Sequence, residues 1–276
     1  MLAVSVRRNL EAVRRRIAQA CRRCGRSPEH VTLIGVTKGV AVETMQEAIA
    51  CGLTDLGENR VQEARAKQQV AGSMPQAAGT GLQLGACSLQ QVRWHLIGHL
   101  QRNKAKEAVA FFDVIHSVDS LPLGQALETQ CASRRRTTPL EVFVQVNVSG
   151  EATKFGCRPE ETQELANAVM HSTRLHLAGL MTMAPFTNDP ERSRPVFRQL
   201  RELRDAMRRH LMDGPPGHRA TGPHTLLLSM GMSQDFEVAI EEGTDFVRVG
   251  TAIFGTGDRG QETGDRRQGT GDAEHG

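Results

Sequence analysis

Apolar residues along this chain fall into short dense runs, separated by longer stretches in which they recur every three or four positions. Eight runs read as buried strands: Val31 to Lys38, Leu53 to Glu58, Val92 to Gly98, Val114 to Val118, Leu140 to Val148, Leu175 to Met183, Thr225 to Ser229 and Asp245 to Gly250. Each is short and dominated by β-branched or aliphatic residues. The stretches with helical period are Val42 to Ala50, Arg60 to Gln69, Gln101 to Phe112, Leu123 to Cys131, Glu160 to His171, Pro195 to His210 and Gln234 to Glu242. Such alternation implies parallel strands joined by right-handed crossovers. A doubly wound sheet is the rival arrangement, but about eight strands in 276 residues fit a single (β/α)8 barrel better. Before the first strand an extra helix places Val6, Leu10, Val13 and Ile17 on one face, and its Arg14, Arg15 and Arg16 read as a solvated face.

The pattern fails in two places. Residues 71–91, rich in Gly, Gln and Ala, read as a flexible insertion before the third strand. After Gly255 the chain repeats Thr-Gly-Asp from Thr256, Thr263 and Thr270 without any Leu, Ile, Val, Phe or Met, so residues 256–276 are expected to be a disordered tail behind a barrel domain of residues 1–255.

Composition narrows the classes. With 39% hydrophobic and 24% charged residues, the chain is an ordinary soluble globular one. A formal net charge of +3 gives no argument for nucleic acid, and neither a long apolar run nor a signal-peptide pattern is present, so a cytoplasmic protein is expected. Six cysteines are too sparse for a disulfide scaffold. Cys21 and Cys24 have a metal-ligand spacing without a second pair to complete it, so no metal site is expected and partly buried helix thiols are the simpler reading.

Candidate chemistry gathers at the strand ends. Lys38 closes the first strand and precedes a helix, at the sheet end where α/β proteins place their ligands. There an amine can form a Schiff base, although a plain surface lysine would fit the same position. At the far end of the chain, Ser229 closes a strand and Met230, Gly231, Met232 and Ser233 follow as a loop before a helix. Gly231 would let backbone amides approach a ligand, and the two serines add hydroxyls; Gly250 and Thr251 offer a second pair of amides. Together they describe an anion site of the kind found in the last two loops of such barrels, though each alone is an ordinary helix cap.

In order along the chain, Val36 to Lys38, Gly57 to Asn59 followed by Val61 to Glu63, Trp94 to Gly98 followed by Leu100 to Lys104, Gly179 to Met181, Ser229 to Ser233 and Arg248 to Gly255 resemble the pyridoxal-phosphate homeostasis proteins. These are single-domain relatives of the alanine racemase N-terminal barrel. The resemblance implies a fold-type III barrel holding pyridoxal 5'-phosphate (PLP) through Lys38, whose pKa desolvation in a strand-end pocket would lower. It further implies a phosphate cradle from Ser229, Gly231, Met232, Ser233, Gly250 and Thr251, with Arg248 facing the pyridine nitrogen and Asn59 lining the pocket. An arginine there can only donate, so the ring nitrogen stays unprotonated and the ring is a weaker electron sink. His95 is either a general acid or base or a satisfied core histidine. Met181 and Met183 pack against the ring; Lys154 matches a loop lysine after the fifth strand, and Gln101, Asn103 and Lys104 lie on the loop after the third.

Departures stand beside the match. Gly39 and Val40 replace the proline usual after the anchoring lysine, and Arg60 replaces an aromatic residue, in a chain without any tyrosine. A racemase of this fold type needs a second base, a tyrosine from another domain of a partner subunit. The expectation is therefore a monomeric PLP-binding homeostasis protein without turnover, with PLP-dependent apo-enzymes as candidate recipients. A PLP-dependent racemase is the alternative, and a phosphosugar aldolase barrel a weaker third.

Overall fold

The computed structural model describes residues 5–73, 92–151, 153–212 and 226–255. Eight parallel strands close into a barrel in simple sequential order, β1 (Thr32–Val36), β2 (Asp55–Glu58), β3 (Arg93–Leu96), β4 (Val114–Val118), β5 (Leu140–Gln145), β6 (Leu175–Met181), β7 (Leu227–Met232) and β8 (Phe246–Val249), with β8 pairing back on β1. The expected (β/α)8 barrel with an added N-terminal helix is the architecture found.

Period two decides what lies inside. On β8, Phe246 and Arg248 face the interior while Val247 and Val249 join the shell beneath the helices; on β3, His95 faces in between outward Trp94 and Leu96. The interior apolar cluster is small, built from Ile34, Val114, Phe143, Ala178, Met181 and Phe246. The shell cluster holds most of the apolar surface.

Helix α1 (Val6–Arg23) starts at Ser5, whose side chain accepts from the Arg8 amide, and buries Val6, Leu10, Val13, Ile17, Ala20 and Cys21. Each large apolar side chain so buried contributes about 1.5–3 kcal/mol. Arg14 and Arg15 of this helix are exposed, as the solvated-face expectation has it, and Arg16 is half-buried. Arg14 donates to the Cys51 and Gly52 carbonyls (2.9 and 2.6 Å) at the end of α2 (Val42–Ala50), and Arg16 pairs with Glu237 at 3.2 Å and lies over the Phe236 ring. Because α1 bridges α2, α8 (Phe236–Glu241) and α9 (Thr251–Phe254), its polar edges reach helix termini and carboxylates as well as water.

Other helices follow the expected pattern with shifted ends. Helix α3 (Val61–Ser73) runs into the first residues of the proposed insertion, whose remaining part, 74–91, and the tail 256–276 both lie outside the described residues. The stretch after β3 is a 3-10 turn, Arg102–Lys104, leading into α4 (Ala105–Phe111); α5 (Leu121–Ser133), α6 (Thr162–Met170) and α7 (Arg194–Met212) complete the ring. Cys21 is buried and Cys24 half-buried, donating to the Ala20 carbonyl. Among the described residues no cluster of metal-binding side chains occurs, and no helix is long and apolar enough to cross a membrane.

Candidate functional site

The C-terminal strand ends form one mouth. Lys38 leaves β1 two residues past Val36, and β8 lies alongside with Gly35 opposite Val249, so Gly250 and Thr251 open next to it. Around the other side, β2 ends at Glu58 and hands over to a half-buried Asn59. A Cβ on Gly98 would collide with the Asn59 carbonyl, so the exits of β2 and β3 touch backbone to backbone and hold Asn59 at the rim.

Lys38 itself is exposed, which corrects the expected desolvated amine. The chain turns out of the barrel at Gly39 (φ +67), carrying the side chain with it, while Thr37 stays fully buried. The buried lysine here is Lys67 of α3. Its Nζ donates to the Thr37 carbonyl at 2.5 Å, Glu58 Oε1 at 2.7 Å and Glu63 Oε1 at 2.8 Å, while Glu63 also accepts from the Gly39 amide and Glu58 from the Thr37 hydroxyl, both at 2.6 Å. Burial pushes the Glu58 carboxyl up, against these hydrogen bonds. At Glu63 burial acts the same way, but the Lys67 and Gly39 hydrogen bonds and the nearby cations together outweigh it and the carboxyl falls below its ordinary value. The Lys38 turn is thus staked from below by a buried ion cluster.

On the opposite wall β7 continues to Met232, three residues beyond its expected end. Its register against β8 shifts between Ser229 and Met232, a bulge containing Gly231 at φ +92. A Cβ on Gly231 would stand 2.6 Å from that of Ala239 and 2.9 Å from the Phe236 Cα. This glycine therefore serves the close seating of α8, where the sequence suggested backbone approach to a ligand. Asp235, just before α8, accepts from the Met232 amide (2.7 Å) and so fixes the loop, and Ser233 accepts from the Gly250 amide (3.2 Å), joining the last two loops. Helix α9 begins at Thr251, so the first-turn amides of Thr251 and Ala252 lack intrahelical acceptors.

Arg248 is buried in the barrel wall, 3% exposed. Its Nη1 donates to Ser229 Oγ at 2.7 Å and its Nη2 to the Thr182 carbonyl at 2.8 Å; among the described residues no carboxylate pairs with it. Burial pushes the guanidinium down to about 10, which leaves it protonated at neutral pH. Ser229 is fully buried and its hydroxyl is engaged inside the barrel, so it stands apart from the loop cradle in which the sequence placed it.

Below the mouth, His95 meets two side chains that sequence reading passed over, Asp55 and His116. His95 Nε2 lies 2.9 Å from Asp55 Oδ1, His95 Nδ1 lies 2.9 Å from His116 Nε2, and His116 Nδ1 lies 2.9 Å from Ser229 Oγ. His95 is thus a satisfied core histidine whose two ring nitrogens are both occupied. Met181 is fully buried in the interior cluster beside Phe143, and Met183 packs against that cluster. Lys154 is largely buried, its Nζ 3.7 Å from Glu151. Lys104 pairs with Glu107, while Gln101 and Asn103 are exposed.

Barrel and mouth define the class: residues 8–258 match the family described as alanine racemase, N-terminal domain. The chain is 39% identical over 246 residues to the pyridoxal phosphate homeostasis protein of Aquifex aeolicus (strain VF5), covering 89% of this chain and 96% of that protein. PipY of Synechococcus elongatus PCC7942, solved with PLP bound, is 31% identical, with a TM-score of 0.66 over 87% of this chain and all of that one. The chain therefore belongs to the pyridoxal phosphate homeostasis proteins, within the alanine racemase N-terminal-domain family. An alanine racemase of Clostridium difficile 630, 13% identical at a TM-score of 0.61, covers 90% of this chain but only 56% of its own length is matched, and it shares the fold alone.

Proposed function

We propose that the protein binds pyridoxal 5'-phosphate in the barrel mouth and serves the intracellular homeostasis of that cofactor without turnover of its own. The observation that carries this reading is Arg248, a buried cation without a carboxylate partner among the described residues. Leaving a guanidinium so placed costs several kcal/mol unless a further acceptor meets it. A pyridine nitrogen is such an acceptor. Lys38, exposed and free to reach inward, is the covalent anchor; Ser233 and the amides near Met232, Gly250, Thr251 and Ala252 hold the phosphate; Asn59 lines the rim and Met181 lies beneath the ring. Ser229, His95 and Gly231 act behind these groups.

Bound to a lysine, the cofactor supplies an electron-withdrawing ring, and the residues here restrain it. Arg248 can only donate, which keeps the ring nitrogen without a proton. The chain has no tyrosine to place a second acid or base on the far ring face. The homeostasis function of the Aquifex aeolicus relative and the bound PLP of PipY support the same reading. Recipient PLP-dependent apo-enzymes, a monomeric state and a cytoplasmic location belong to this proposal. The barrel is taken as residues 1–255, with 71–91 an insertion and 256–276 a tail. Incubating the PLP-loaded protein with alanine and serine in deuterated water tests it: no appreciable α-proton exchange is expected. Rapid exchange that disappears in Lys38→Ala would establish an enzyme instead.

A further inference from the structure

The interior side chains below Arg248 form one chain, and with both histidine rings neutral it runs in one direction. A guanidinium only donates, so Ser229 Oγ accepts from Arg248. At the other end, burial would raise the Asp55 carboxyl, but the His95 and Thr54 hydrogen bonds outweigh it and the group is held below its ordinary value. Asp55 is therefore an acceptor, and His95 must carry its proton on Nε2. That leaves His95 Nδ1 bare, so the facing nitrogen, His116 Nε2, donates to it. His116 is fully buried, and that burial, beside the Arg248 cation, pushes it well below the ordinary histidine range, so it is neutral. Its Nδ1 is then bare as well and accepts the Ser229 hydroxyl proton. Every group is satisfied, with a cation at one end and an anion at the other, in a sequence running Arg248, Ser229, His116, His95, Asp55.

We propose that Asp55, His95 and His116 are positioning residues which, by fixing the direction of the Ser229 hydroxyl, hold Arg248 aimed at the pyridine nitrogen of the bound cofactor. Asp55 thus acts on Arg248 through the chain, while Asp235 is the carboxylate whose charge reaches the guanidinium directly. This rests on the reading that Arg248 faces that nitrogen. Without the charge on Asp55 the chain can reverse: His116 Nδ1–H would donate to Ser229 Oγ in competition with Arg248, and the hydroxyl proton would turn away.

The experiment compares binding of PLP with that of 1-deazapyridoxal 5'-phosphate, whose ring carries C–H where PLP has the nitrogen. Asp55→Asn keeps the size and removes the charge. His116→Phe breaks the chain while keeping a ring stacked on Phe143, whose centroid is 4.4 Å away. Each variant should weaken PLP binding about five-fold or more, the scale of one hydrogen bond, and move the deaza analogue by less than about two-fold. Should His116→Phe fail to fold, Asp55→Asn carries the comparison alone. Equal weakening of both ligands, or no weakening of either, would overturn the proposal and leave these residues a purely structural role. Arg248→Met separates the two layers of inference. If it discriminates between the ligands and the Asp55 and His116 variants do not, the relay alone is wrong; if it does not discriminate, Arg248 does not face the nitrogen and both readings fall.

Discussion

Lys38 and Arg248 hang from neighbouring strands, with Ile34 of β1 opposite Arg248 of β8, and they are held in opposite ways. Arg248 is buried and pinned at both ends of its guanidinium by a hydroxyl and a carbonyl. Lys38 is exposed on a turn whose backbone is clamped while its side chain is not. A group that must reach out and form a bond is best left mobile above a rigid stake. A group that must present a donor in one place is best sunk into the wall. The two cations of the site divide these duties, and each has its own buried polar system: Lys67 with Glu58 and Glu63 on one side, and Ser229, His116, His95 and Asp55 on the other.

The largest effect should come from removing the mobile partner. Lys38→Ala should abolish covalent attachment of PLP altogether; after borohydride reduction, peptide mapping should find the pyridoxyl group on Lys38 in the wild type and nowhere in the variant. A label on Lys67 or Lys154 would reverse the comparison. Next comes the stake. Lys67→Met strands the buried Glu58 carboxylate and should cost about 3–5 kcal/mol in denaturant unfolding, whereas Glu58→Gln combined with Lys67→Met should recover a good part of it. If Lys67→Met were as stable as the wild type, the Lys38 turn would not depend on that cluster.

On the opposite wall, Gly231→Ala places a side chain at φ +92 and against Ala239, and should cost about 1–3 kcal/mol from backbone conformation alone. The loss should appear in the melting temperature before any ligand is added; a normal melt with weakened phosphate binding would return Gly231 to the cradle. A smaller effect concerns protons. Folded His116 resists protonation while the unfolded residue titrates near 6.5, so stability should fall as pH drops below about 6.5, by at most about 1.4 kcal/mol per pH unit from this group. Urea midpoints at pH 7 and pH 5.5 should show a shallower fall in His116→Phe. Smallest of all, truncation after Gly255 should leave cofactor binding and melting unchanged, because residues 256–276 carry no large apolar side chain to bury.

Strand order and helix placement were legible because each βα unit is local: a run of aliphatics followed by a 3.6-residue period needs no distant partner to be recognised. Lys38, Asn59 and Arg248 were legible from their places in an ordered set of motifs. Lys67, Asp55 and His116 were not, since their meaning lies in partners across the barrel. His116 meets Ser229 from 113 positions away, and Lys67 meets the Thr37 carbonyl from 30 positions away, across a helix and a strand. The inward face of Val114 to Val118 offered the one available signal, a histidine alternating with aliphatic residues on a strand with no water to face. Ser229 was misplaced for a related reason. Ser229 faces the interior by plain alternation with Leu227, and the bulge that carries β7 three residues further, past it, is a property of two strands together.

Closure of the ring also determines when the fold can exist at all. The first strand is completed only by the last, and Asn9 of α1 donates to the Ile253 carbonyl, 244 positions later, at 2.9 Å. On the ribosome, the N-terminal half must wait with a bare edge on β1 and an uncovered apolar stripe on α1 until the final strand emerges, which makes early-terminated chains natural clients for chaperones and proteases. A break a few residues before Phe246 would remove a small fraction of the polypeptide and the seam of the whole barrel.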